Sequence, residues 1–187
     1  YDLNTRYDYH ALVNFMSPRS SREVIKLTIP EGYTCRQIFA LLEENRICTA
    51  RDAAAYAASG ELSEYWFLEG VQRGDKYCLE GYLAPDTYRF YTGDEARNVL
   101  EKFLNEFDDR FTDIMQEDLQ VMQSRYADLL AAEGYSGEYI AEHPLTLHQV
   151  VTVASIVERE TANDAESYDI ASVFYNRVTD PDILTMG

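Results

Sequence analysis

No stretch of about 18 apolar residues occurs in the 187-residue sequence, so nothing in it reads as a membrane-spanning helix. The opening, Tyr1-Asp-Leu-Asn-Thr-Arg6, lacks the charged-then-apolar pattern of a signal peptide. Positive charge is scarce. Sixteen Lys and Arg stand against 33 Asp and Glu, a net charge of -17. Binding to a phosphate backbone relies on cations that release counterions, so nucleic acid is excluded as a partner, and an anionic membrane surface is equally disfavoured. A largely uncharged carbohydrate would not be repelled. The three cysteines, Cys35, Cys48 and Cys78, cannot all pair within one chain, and their spacing matches no zinc or redox motif. Buried free thiols are expected, with Cys35 and Cys48 the one pair worth testing as a disulfide. No Ser/His/Asp or Cys/His arrangement, phosphate-binding glycine loop or internal repeat is legible, and neither a metal nor a cofactor is expected.

What is present suits a folded α+β protein. Hydrophobic residues make up 46% and aromatics 13%, including 15 tyrosines, which is the composition of a globular chain and not of an acidic tail. The length fits one domain, or a small module packed against a larger one. Ile25, Leu27 and Ile29 alternate with Lys26 and Thr28, the period of a strand, and Pro30-Glu31-Gly32 turns the chain. Thr34 can cap a helix to about Glu44 with Ile38, Leu41 and Leu42 as its stripe, and a second helix runs from Thr49 to a stop near Gly60. The expected division is a compact subdomain at 22–75 and a larger, mainly helical domain at 76–187. Residues 79–90 combine glycine, proline and aromatics, as short extended segments around a turn do. Asp94 can then cap a helix carrying Val99, Leu100, Phe103, Leu104 and Phe107. A second helix carries Met115, Leu119, Met122, Tyr126 and Leu129 to a stop at Gly134, giving a helical insertion at about 94–133.

The best-specified element starts at Thr146, whose pairing with Gln149 predicts a capping box, with Leu145 stapling to Val150. Helical spacing then aligns Leu147, Val151 and Ala154, and the next member of that stripe is Glu158. A carboxyl continuing an apolar line is expected to be held protonated by burial, as a general acid requires. Spacing alone admits another reading: a Glu at a helix end, neutralised by Arg159, Arg177 or a backbone donor, or exposed as the helix leaves the core. Glu160 points to another face and reads as solvated or substrate-positioning, and His148 as a surface residue. In the helix from Tyr168, Ile170, Val173 and Phe174 are expected inward. Asn176 and Arg177 at its end suit either substrate binding or the helix dipole.

Ile29-Pro-Glu-Gly32, Leu79-Glu-Gly-Tyr-Leu-Ala-Pro-Asp-Thr-Tyr88, Leu145-Thr-Leu with Ala154-Ser-Ile-Val-Glu-Arg-Glu-Thr161, and Val173-Phe-Tyr-Asn-Arg177 follow one another in this order. Together these blocks resemble the endolytic murein transglycosylases of the MltG, or YceG-like, family. The resemblance implies a LysM-like subdomain at the N-terminal side, a catalytic domain, and a single-pass membrane anchor absent from these residues that holds the domain outside the cytoplasm. It implies that peptidoglycan glycan strands are the substrate and peptidoglycan synthases the companions. The implied reaction cleaves the β-1,4 bond between N-acetylmuramic acid and N-acetylglucosamine without water, leaving 1,6-anhydro ends and limiting strand length. Glu158 matches the catalytic glutamate. Glu80, Tyr82, Asp86 and Tyr88 fall in the second block, where Glu80 would line the cleft or brace Glu158, unless it only holds the Gly81 turn. The others offer stacking and hydrogen bonds to sugar rings, although tyrosines also fill ordinary cores.

Two departures bear on activity. Ala84 stands where many family members carry an aromatic residue, a change of packing more than chemistry. Family members also continue beyond the Asn-Arg helix into a block rich in Gln, Ser or Thr and Asp. This sequence stops at Leu184-Thr-Met-Gly187 and opens as if mid-chain, so the expectation is a C-terminally truncated catalytic domain, folded yet open to being inactive by itself. Two other functions fit the same residues: a non-catalytic wall-binding or scaffold module, and a hydrolytic muramidase, which needs a second carboxylate.

Overall fold

The structure, a computed structural model, describes residues 23–59 and 62–160 together with the backbone of 164–178, where side chains are described for 166–173. Among the described residues it is an α+β fold of one two-stranded antiparallel sheet and seven α-helices. Strand β1, Val24–Thr28, pairs with β2, Thr87–Tyr91, with Ile25 opposite Phe90 and Leu27 opposite Tyr88. Alternation does what the sequence expects of it: Leu27, Tyr88 and Phe90 turn inward while Lys26 and Arg89 face out. The partner of β1 thus lies beyond the boundary expected near residue 75.

Between the strands run α1, Cys35–Glu44, and α2, Ala50–Ser59. Thr34 caps α1 as expected: its hydroxyl accepts from the Gln37 N–H at 3.3 Å, and the Gln37 side chain accepts from the Thr34 N–H at 2.8 Å. Ile38, Phe39 and Leu42 are buried, whereas Leu41 is only partly covered. Thr49 accepts from the Asp52 N–H at 3.0 Å to start α2. A turn of 3-10 helix at Trp66–Leu68 precedes β2.

Helix α3, Ala96–Arg110, buries Val99, Leu100, Phe103 and Leu104, and Phe103 packs 4.4 Å from the Tyr88 ring and 5.7 Å from Phe90. Its N-cap is Glu95, whose side chain makes no capping bond. Asp94, the expected cap, sits one residue earlier and accepts from the Glu95 N–H and the Asn98 amide. Helices α4, Asp113–Ala132, and α5, Gly137–Glu142, follow. The periodic stripe of α4 is not a core face: Met115 and Leu129 are exposed, and only Leu130 of the helix is buried.

Helix α6, Leu147–Glu160, and α7, Asp164–Val178, complete the described chain. The Thr146–Gln149 capping box forms as expected, at 2.8 and 3.2 Å. In α7, Val173 and Tyr168 are exposed, against the inward placement expected of Val173. Phe174 lies outside the described side chains.

Candidate active site

Burial along α6 falls off after its second turn. Leu147 and Val151 pack against the core, but Ala154 and Glu158 are exposed, and no residue of the helix is fully buried. The expectation of a carboxyl enclosed in an apolar wall is corrected accordingly. The helix leaves the core before Glu158 is reached, the alternative that spacing had left open.

Two neighbours fix the N-terminal half of α6. Gly81 has φ +86°, a conformation that side chains disfavour, and a Cβ placed there would lie 2.6 Å from Val151 Cγ1. Only a glycine lets the helix approach this closely. His148, expected on the surface, stacks on Tyr82 with 6.0 Å between ring centroids and meets the Tyr82 hydroxyl at 3.2 Å. These contacts set the Leu79–Tyr82 turn beside α6 and bring two distant acidic residues to one place. Glu80 and Glu158 both line a groove that also takes in Tyr33, Cys35, Pro85 and Arg159.

Glu80 has an identifiable structural duty as well. Both its carboxylate oxygens lie 3.1 Å from the Cys35 N–H, the first amide of α1. That amide has no partner within the helix, and a negative charge suits the helix's positive end. The Cys35 thiol beneath it is pushed well above the ordinary range, by burial first and then by the Glu80 charge. All three cysteines are free, so the Cys35–Cys48 pair is no disulfide.

Of the remaining sequence candidates, those whose side chains are described do not line the groove. Tyr82 and Tyr88 are core residues, a correction to their expected role in stacking on sugars. Tyr82 packs 5.8 Å from Phe67 and 5.2 Å from Phe107, and the Tyr88 hydroxyl donates to the Ala84 carbonyl at 2.6 Å. Burial pushes the Tyr82 phenol up to about 12. Asp86 is engaged elsewhere too. The Thr87 N–H and the Arg110 guanidinium bind its carboxylate and hold it below the usual carboxylate range. Glu160 is exposed at the end of α6 and does not line the groove. Asn176 and Arg177 belong to the backbone of α7, with side chains outside the described residues. Tyr33, Ser155 and Arg159, which do line the groove, were missed as site residues, although Tyr33 directly follows the Ile29–Gly32 block and Arg159 adjoins Glu158. No group of His, Cys, Asp and Glu among the described residues could hold a metal ion.

The model of the YceG-like family matches residues 1–186. The chain belongs to that family. This YceG-like chain is 25% identical, over 98% of its own length and 49% of the relative's, to a protein of Bacillus subtilis strain 168 named endolytic murein transglycosylase. A Streptococcus pneumoniae R6 protein of the same name is 26% identical over 81% of this chain and 26% of the relative. A crystal structure of a yceG-like protein from Listeria monocytogenes aligns with a TM-score of 0.56 and 26% identity, covering 82% of this chain and 46% of that one. The YceG-like chain thus spans about half, or less, of the proteins it matches. Among its described residues no helix is long and apolar enough to cross a membrane.

Proposed function

We propose that this chain carries the catalytic glutamate of a peptidoglycan lytic transglycosylase, with Glu158 as its acid and base. The meeting of Glu158 with Glu80 in one groove, in a chain of the YceG-like family, is the observation that supports this most. In the proposed reaction Glu158 donates its proton to the glycosidic oxygen as the C1–O4 bond between N-acetylmuramic acid and N-acetylglucosamine breaks. As a carboxylate it then takes the proton of the muramyl C6 hydroxyl while O6 bonds to C1. The acid is regenerated, no water is consumed, and the product ends in 1,6-anhydro-muramic acid. A strand lying along the groove excludes water from this exposed carboxyl, the condition in which such a transfer is efficient.

Glu80 is assigned a positioning role, since its carboxylate holds the start of α1 against the groove wall. The order β1-α1-α2-β2, two helices between paired strands, supports a LysM-like subdomain that reaches Tyr91 instead of ending at 75. Shortening of nascent strands, a membrane anchor in the longer protein and work beside peptidoglycan synthases remain part of the proposal. The test is digestion of purified glycan strands by the full-length protein and by its Glu158→Gln variant, with products weighed by mass spectrometry. Anhydro ends made by the parent and lost in a folded variant are expected. Reducing ends would indicate a hydrolytic muramidase, and retained binding without cleavage a scaffold module. Undiminished cleavage by the variant would sink the assignment of Glu158.

A further inference from the structure

Among the described residues, helix α4 presents two apolar faces and covers only one of them. Leu130 is buried and Leu119 and Tyr126 are half-buried, whereas Ile114, Val121 and Leu129 are 70%, 48% and 51% exposed. At about 100° of rotation per residue, the exposed set lies roughly a third of a turn from the covered one. Asp118 and Arg125, also exposed, complete it, so that Ile114, Asp118, Val121, Arg125 and Leu129 form one stripe at steps of three or four residues. The stripe covers most of a 20-residue helix, which is about 30 Å long. Among the described residues neither Asp118 nor Arg125 has an ion-pair partner.

The order of residue types along this stripe is its own complement. Ile114 and Leu129 are equidistant from the point between Val121 and Met122, and so are Asp118 and Arg125. A second α4 laid antiparallel on the first, about a two-fold axis through that point, sets Ile114 against Leu129, Asp118 against Arg125 and Val121 beside its own copy. The axis makes each unlike contact twice. At the separation of about 8–10 Å usual for packed helices, each charge gains an opposite partner between apolar neighbours. Parallel pairing fails, because it sets Asp118 on Asp118 and Arg125 on Arg125. Any other occupant needs a cation opposite Asp118 and an anion opposite Arg125 at this spacing, with apolar residues outside them, and the same helix reversed supplies that pattern. We propose that α4 is a homodimerisation surface that pairs antiparallel with a second copy of this chain. Two features limit its strength: the net charge of -17 on each copy, screened beyond about 8 Å at physiological ionic strength, and Glu117, which meets its partner's Asp128 at one solvated margin. A contact of this kind, below about 1,200 Å², is weak, and a Kd of roughly 10–100 μM is expected.

Sedimentation at physiological salt should find the chain passing from monomer to dimer up to about 300 μM, and no further, because an isologous contact closes on itself. Val121→Glu, at an exposed helix position, should leave the circular dichroism unchanged and the chain monomeric. Asp118→Arg and Arg125→Asp set like charges together twice and should each weaken association about tenfold. The double variant restores both pairs and should return to within about threefold of the parent, and an equimolar mixture of the two single variants should associate more tightly than either does by itself. The full-length protein should show the same pattern. A chain that stays monomeric, Val121→Glu that dimerises like the parent, or a double variant no better than the singles overturns the proposal. So does a full-length protein that stays monomeric, which would show that another part of that protein covers the stripe. None of these results touches the assignment of Glu158, which stands or falls on strand cleavage.

Discussion

Cys48 illustrates what single residues in this fold report. Burial, and then the carboxylates of Asp52, Asp94 and Glu43, push its thiol up to about 11 from the ordinary 9.0. The folded chain holds this proton more tightly than the unfolded one. The associated stability is thus complete below pH 9 and is lost as pH rises from there towards 11. Because the thiolate is the reacting form, alkylation of Cys48 by iodoacetamide at pH 8 should run about a hundredfold slower in the native chain than in urea. Peptide-resolved mass spectrometry measures this, and equal native and unfolded rates would refute the placement. An odd number of cysteines left at least one thiol free, whereas the separation of Cys35 from Cys48 is settled only by the fold. The fate of the tyrosines was not legible in the sequence either. A tyrosine ring serves a core and a sugar site equally well, and only the packing of Tyr82 on Phe67 and the Tyr88–Ala84 bond separate the two.

At the scale of elements, capping signals whose partners lie three residues apart were legible, and contacts between distant segments were not. The capping boxes at Thr34 and Thr146 involve side chains three residues apart, so the sequence contains both partners. Gly81 and Val151 are seventy positions apart, and no pattern announces that one must be small for the other to fit. The stripe of α6 misled for the same reason: its period is genuine, but where the core ends along it depends on what packs there. Gly81→Ala should cost about 1–3 kcal/mol in urea unfolding, combining a side chain at positive φ with a clash against Val151. Adding Val151→Ala removes the clash and leaves the backbone strain, so the double variant should recover part of the loss, with a favourable coupling energy. Strictly additive single effects would show that α6 does not rest on Gly81, and the account of how Glu158 meets Glu80 would then need another support.

In the whole molecule, the contiguous buried core runs from Leu27 to Leu104 and ignores the division expected near residue 75. Paired strands contribute from both sides of it, and α3, expected as part of an insertion, supplies four of the core's buried side chains. Helices α4 and α5 contrast with this. Leu130 is their one fully buried residue, and the Gln123 amide reaches the Leu145 carbonyl at 2.9 Å, while Ile114, Met115 and Val121 face solvent. Opening such a segment exposes little apolar surface and therefore costs less than opening the core. Hydrogen exchange should accordingly divide the chain by burial. The interior amides of β1, α1, β2 and α3 are expected to exchange only at the rate of global unfolding, and those of α4 and α5 well before them. A fragment 22–75 lacks β2 and α3, which leaves β1 without its hydrogen-bond partner and Phe39 and Leu42 without much of their core, so circular dichroism should find it unfolded. A fragment 23–111 retains the contiguous core and should melt cooperatively. A folded 22–75, or uniform protection through 113–142, would show that the stability of this chain is distributed differently from its buried surface.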